Sequence, residues 1–101
     1  MNGAISGFDW DDGNRAKCRK HGVSPAEVGA LFDRPVLIIP DEAHSRREQR
    51  LRAIGRTARG RSVFLVFTVR EHNGKRLIRP ISARYMHRKE VASYEKENPD
   101  L

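Results

Sequence analysis

Arginines and histidines are the residues around which this chain could organise chemistry. Arg50, Arg52 and Arg56 recur at even spacing within QRLRAIGRT (49–57), so a strand there carries all three on one face. Arg76, Arg79 and Arg84 follow in KRLIRPISARY (75–85), where strict alternation puts Arg76 and Arg84 on one face and Arg79 on the other. Planar guanidinium forks grip phosphate two bonds at a time and stack on unpaired bases. The bland alternative is a solvated strand face that keeps a sheet edge soluble. Four histidines could move protons. His72 falls at a hairpin turn and His44 in a charged loop. His21 falls at a helix C-terminus, where a cation is favoured, together with Lys20. His87 opens a helix, where a cation is electrostatically misplaced, and so stands out as an acid or base. Glu48 can be a cross-strand partner for a nearby arginine.

Other chemistries find little support. No H-x-x-x-H or E-x-x-H pair and no cysteine cluster is present, so neither a metal nor a cofactor is expected. The acidic run DWDD (9–12) is explained by helix capping before it is explained by catalysis. A single cysteine, Cys18, excludes an internal disulfide framework and suits a reducing cytoplasm. The longest apolar runs, VLII (36–39) and SVFLVFTV (62–69), fall far short of a membrane span. A net charge of +7 favours polyanionic partners.

The elements that must position these groups read as one α+β domain over 1–101, with residues 1–7 and 97–101 as loosely ordered ends. FDW (8–10) fits a short extended anchor. DDGN (11–14) starts a helix over about residues 14–21, and Gly22 ends it. Ser24 as N-cap, Pro25 at N1 and Glu27 at N3 form a capping box, with Val23 and Val28 placed for a hydrophobic staple. Val28, Leu31 and Phe32 make its inner face, and Arg34-Pro35 ends it. An antiparallel meander of three to four strands follows. Its stretch 62–71 is apolar on both faces and therefore central. Asn73-Gly74 marks a hairpin, and Pro80 demands an edge or a bulge. HRKEVASYEKE (87–97) reads as a closing helix with Val91 and Tyr94 inward.

The two N-terminal helices also invite a helix-turn-helix reading around RKHGVS (19–24). A recognition helix carries base-reading polar groups near its N-terminus. PAEVGALFD (25–33) has no Arg, Lys, Asn or Gln, and Glu27 and Asp33 would repel phosphate, so direct DNA recognition is set aside.

With these segments in place, the sequence resembles the BrnT family of toxins from bacterial type II toxin–antitoxin modules. The resemblance spans residues 8–95 and is carried by FDWDDGN (8–14), KHGVS (20–24), LFD (31–33), PD (40–41), HS (44–45), Glu48, Arg50, IGR (54–56) and ISARYMHRKE (81–90) with Tyr94. It implies a RelE/ParE-like fold and a ribonuclease that blocks translation. It also implies a BrnA-like antitoxin through which alone DNA would be met. RNA is then the substrate. Arg50, Arg52, Arg56, Arg79, Arg84 and Arg88 are expected to bind it, with Tyr85 stacking on a base. Arg56 and Arg84 would also stabilise charge in the reaction, His87 or His21 would serve as acid or base, Lys20 would assist, and Glu48 would be an alternative base. A non-catalytic basic module that binds nucleic acid or an acidic protein is the competing expectation.

Overall fold

The computed structural model describes residues 5–44 and 47–97. They form a five-stranded sheet, three α-helices and one 3-10 turn. Strand β1 is Gly7–Phe8, β2 Leu37–Pro40, β3 Leu51–Arg56, β4 Ser62–His72 and β5 Lys75–Tyr85. Helix α1 is Asp12–Lys20, α2 Pro25–Leu31 and α3 Arg88–Glu97, and the 3-10 turn is Glu42–His44. The sheet order is β1-β5-β4-β3-β2. The sheet is therefore mixed, and it has one strand more than the expected meander. The short FDW anchor supplies the extra strand: Gly7 and Phe8 pair in parallel with Leu77 and Ile78 of β5. Ile5 packs on the core and the Ser6 amide donates to the Arg76 carbonyl, while residues 1–4 of the end expected to be loose lie outside the described residues.

Local chemistry accounts for both N-terminal helices. Asp11 caps α1 in a reciprocal box with Asn14, and Ser24 caps α2 in another with Glu27. Gly22 takes φ 81° just past the end of α1, the left-handed conformation that a side chain would strain. Asn14 does more than cap. Its amide donates to the Asp9 carbonyl at 3.0 Å and, across 66 residues, to the Pro80 carbonyl at 2.9 Å. Asn14 is buried, so Asn14→Ala leaves two carbonyls without this donor and should cost about 1–3 kcal/mol. Urea unfolding of the purified variant checks this, with the midpoint moving down at unchanged slope.

Alternation along β4 builds the core. Val63, Leu65 and Phe67 face α1 and α2 and join Cys18, Val23, Val28 and Leu31 in one cluster. Val23 and Val28, the staple pair, are fully buried. The second helix therefore spends its apolar face on the sheet, as the acidic sequence of that helix foreshadowed. It ends at Leu31, before the Arg34-Pro35 stop. Asn73 and Gly74 both have positive φ, 51° and 77°, and close the β4–β5 hairpin in two residues.

Pro80 marks a bulge and not an edge. Val66 pairs with Ser82 and Phe67 with Pro80, so Ile81 is the additional residue in β5. The bulge reverses the alternation of everything before it. Arg84 pairs with Phe64 and Arg79 with Thr68, so Arg79 and Arg84 share the face away from the helices. Arg76 pairs with Glu71 and falls on the helical side. Strict period-two counting had these assignments the other way round.

Candidate nucleic-acid interface

The face of the sheet away from α1 and α2 is laid out in rows by the strand register. Arg50, immediately before β3, shares a groove with Thr68, which pairs with Arg79, and Arg52 neighbours Val66 and Ser82. Ile54 neighbours Phe64 and Arg84, and Arg56 neighbours Ser62. Ile54, the apolar exception among the alternating arginines, lies under α3 with Met86 and Val91 and is 3% exposed. Helix α3 thus covers one end of this face. At the other end the loop before β3 leaves a groove of about 450 Å³, lined by His44, Arg47, Glu48, Arg50, Thr68 and Ile81. Thr68 is buried on its wall, and its hydroxyl has no hydrogen-bond partner among the described residues.

Most of the arginines on this face are held by carboxylates from flanking elements. Arg84 makes a fork to Glu90 of α3, with bonds of 2.8 and 2.9 Å, and stands 4.9 Å from the Phe64 ring centre. Arg56 bonds Glu95 of the same helix. Arg52 reaches Asp41 at 2.8 Å, Arg70 reaches Glu48 at 2.9 Å, and Arg79 bridges Asp9 and Asp11. Such partly exposed pairs each stabilise by about 0–1 kcal/mol, so a phosphate can share or replace them cheaply.

Glu90 shows how this end is held electrostatically. The Arg84 guanidinium, and after it the His87 backbone N–H, hold its carboxyl down to about 2. A carboxyl whose folded value is depressed contributes stability above its unfolded value and loses it as pH falls through the folded one. The contribution of Glu90 is therefore complete above about 4.5 and fades between about 4.5 and about 2. The gap in thermal midpoint between the wild type and Glu90→Gln should be constant near neutrality and shrink through that window. A gap that ignores pH would show that the Arg84–Glu90 pair adds nothing.

The expected site residues do not all converge. Arg50, Arg52, Arg56, Arg79, Arg84 and Glu48 share the open face or its rim. His87 and Arg88 lie at the start of α3, both exposed. With about 3.4 Å per residue and about 4.8 Å between strands, Arg50 and Arg84 are roughly 17 Å apart at Cα, too far to grip one phosphate. Lys20 and His21 lie at the end of α1, on the helical side of the sheet. The structure does not bring them to Arg50 or Arg84. Tyr85 also faces the helices. Its hydroxyl donates to Glu27, and Arg61 covers its ring at 3.5 Å, so that ring face is not open to a base. The physical reason is the same in each case: these side chains belong to the layer that buries the core.

Reading the sequence one residue at a time passed over a different pair. His44 Nδ1 lies 3.1 Å from both carboxylate oxygens of Asp41. The available signal was the i,i+3 spacing in PDEAH (40–44), which a single 3-10 turn closes into contact. Among the described residues no group of three or more His, Cys, Asp or Glu side chains is placed to hold a metal, and no helix is long and apolar enough to cross a membrane.

The domain is α+β, with one sheet face buried under helices and guanidinium groups concentrated on the other. The family of ribonuclease toxins, BrnT, of type II toxin–antitoxin systems has a model that matches residues 10–90, and the chain belongs to that family. Membership implies a ribonuclease activity and a protein antitoxin as partner. Among curated proteins, none matches the chain.

Proposed function

We propose that the protein is an endoribonuclease that cleaves RNA without a metal, using the substrate's own 2′-OH as nucleophile. The observation that carries this is the groove. It sets an imidazole, a carboxylate and the Arg50 guanidinium around one cleft on an arginine-rich sheet face. The chemistry needs a group to take the 2′ proton, a proton for the departing 5′ oxygen, and cations for the charge that builds on phosphate. None of these has to be a cofactor. Arg50 faces the reacting phosphate, and Glu48 and His44 are the proton-transfer groups within reach. Arg52, Arg56, Arg79, Arg84 and Arg88 line the path of the flanking RNA, with His87 at its α3 end. Lys20, His21 and Tyr85, on the helical side, carry no chemical step.

Cleavage of RNA in the cytoplasm would stop growth by blocking translation. A BrnA-like antitoxin would neutralise the toxin by covering this face, and DNA would be met only through that partner. A RelE/ParE-like ancestry of the fold fits the order of helices, sheet and closing helix.

Incubating the purified protein with single-stranded RNA in excess chelator tests the reading. Cleavage leaving a 2′,3′-cyclic phosphate, with a 2′-deoxy strand left intact, is the expected result. Tight binding with uncut RNA after long incubation would support a non-catalytic module instead. No affinity at low salt, where phosphate-driven binding is strongest, would leave a protein-interaction role.

A further inference from the structure

We infer that His44 is the base that takes the 2′-OH proton and that Asp41 is its positioning residue, an assignment that rests on the ribonuclease reading above. Asp41 is 4% exposed, while the His44 side chain keeps 66% of its surface open. Both oxygens of the carboxylate lie 3.1 Å from Nδ1. Behind them, Arg52 of β3 donates to Asp41 Oδ1 at 2.8 Å, and the Asp41 amide donates to the Arg50 carbonyl at 2.8 Å. Asp41 is thus tied to the sheet twice, by its carboxylate to Arg52 and by its backbone amide to Arg50. An ordinary surface i,i+3 pair has no need of a buried carboxylate held by a second element.

The tautomer follows from the partner. An ionised carboxylate only accepts, so Nδ1 carries the hydrogen and the neutral ring presents its lone pair at Nε2. Arg52, and after it His44, hold the Asp41 carboxyl below the usual carboxylate range, which keeps it ionised. The ring lines the same groove as Arg50 and Glu48. Among the described residues, His44 is the histidine whose ring is bonded to a carboxylate. This orientation of imidazole by a buried acid is the arrangement that prepares a histidine base elsewhere.

The step balances without a co-reactant beyond water. The 2′ oxygen forms a bond to phosphorus as its proton passes to His44 Nε2. The bond from phosphorus to the 5′ oxygen breaks, and that oxygen leaves with a proton from water. A 2′,3′-cyclic phosphate and a 5′-hydroxyl result, and His44 returns its proton to solvent. The charged groups around the ring are Arg47, Glu48 and Arg50 in the groove, Asp41 and Arg52 behind it, and Arg70 on Glu48.

Single-turnover cleavage of a short RNA by the full-length wild type, His44→Ala, Asp41→Asn and, as a control outside the site, His72→Ala tests the assignment. His44→Ala should lose about 10²–10⁴-fold in rate, recover part of it with free imidazole, and bind a 2′-deoxy strand as the wild type does. Asp41→Asn should lower kcat with little change in KM. Thermal melts establish that each variant is folded. A His44→Ala rate close to that of an active wild type overturns the assignment and leaves the ribonuclease reading standing. So does a loss that imidazole cannot restore and that weakens 2′-deoxy binding equally. If the wild type itself leaves RNA uncut, the ribonuclease reading fails first and takes this assignment with it.

Discussion

Arg50→Ala should lower the rate of RNA cleavage by about 10²–10³-fold, the usual loss when one donor to developing charge is removed. Arg50 lies immediately before β3 and lines the groove beside His44 and Glu48. Its backbone is secured, since its carbonyl accepts from the Asp41 amide. The substitution therefore removes a guanidinium without removing a strand. Two comparisons make the result specific. Arg76→Ala takes the same charge from the opposite side of the sheet and should leave the rate close to wild type. The salt dependence of binding to single-stranded RNA should also flatten by about 0.7 in log–log slope for one lost phosphate contact. Equal losses in Arg50→Ala and Arg76→Ala would mean that only net charge matters, and the groove would lose its role.

The largest effect on folding is expected at Phe67. It is fully buried and meets Phe32 edge to face, with centroids 5.8 Å apart, and Phe32 meets Phe8 at the same separation. These rings join β4, α2 and the N-terminal strand. Phe67→Ala removes the fully buried end of this chain of rings and leaves a cavity in the core beside Phe32, at a cost of about 3–5 kcal/mol. A domain of this size has about 5–15 kcal/mol in total, so the thermal midpoint should drop by roughly 4–8 °C for each kcal/mol lost. Calorimetry of the variant checks this. A fall of only a degree or two would show that the Phe32 and Leu65 side chains close the gap. The consequence for function is indirect but large. The bulge that brings Arg79 round to the open face begins opposite the Val66–Phe67 step, so loosening this point loosens the register of the arginine rows.

The arginine face is already partly occupied by the protein's own acids, and this bears on both experiments. Glu90 and Glu95 hold α3 over Arg84 and Arg56. The groove around Arg50 is lined instead from the 3-10 turn, the loop before β3 and strands β4 and β5. We therefore place the proposed reacting phosphate there and not beneath α3, although Arg84 and His87 are the more conspicuous residues in the sequence.

Much of this was legible from the chain alone where the information is local. The helix start within DDGN (11–14), the capping box at Ser24, the left-handed Gly22 and the Asn73-Gly74 hairpin depend on residues within four positions of one another. Short-range hydrogen bonds and φ preferences specify them without help from distant parts. The apolar character of both faces of 62–71 identified β4 as central, and alternation separated Leu51 and Ala53 from Arg50 and Arg52. The motif order was enough to point to the BrnT family.

What tertiary structure decided was sidedness and partnership. Alternation holds only while the register does, and one additional residue at Ile81 moved Arg79 onto the face of Arg84. Lys20 and His21 read well as cations near a basic sheet, but a sheet has two sides, and core burial of Cys18 and Val23 committed α1 to the other one. His44 looked like one more histidine in a charged loop. Its value came from a 3-10 turn that closed it onto Asp41, and from Arg52 on a strand that returns to meet that carboxylate. The i,i+3 spacing carries a signal for the turn, but the Arg52 contact depends on how separate segments pack, and no spacing in the sequence encodes it.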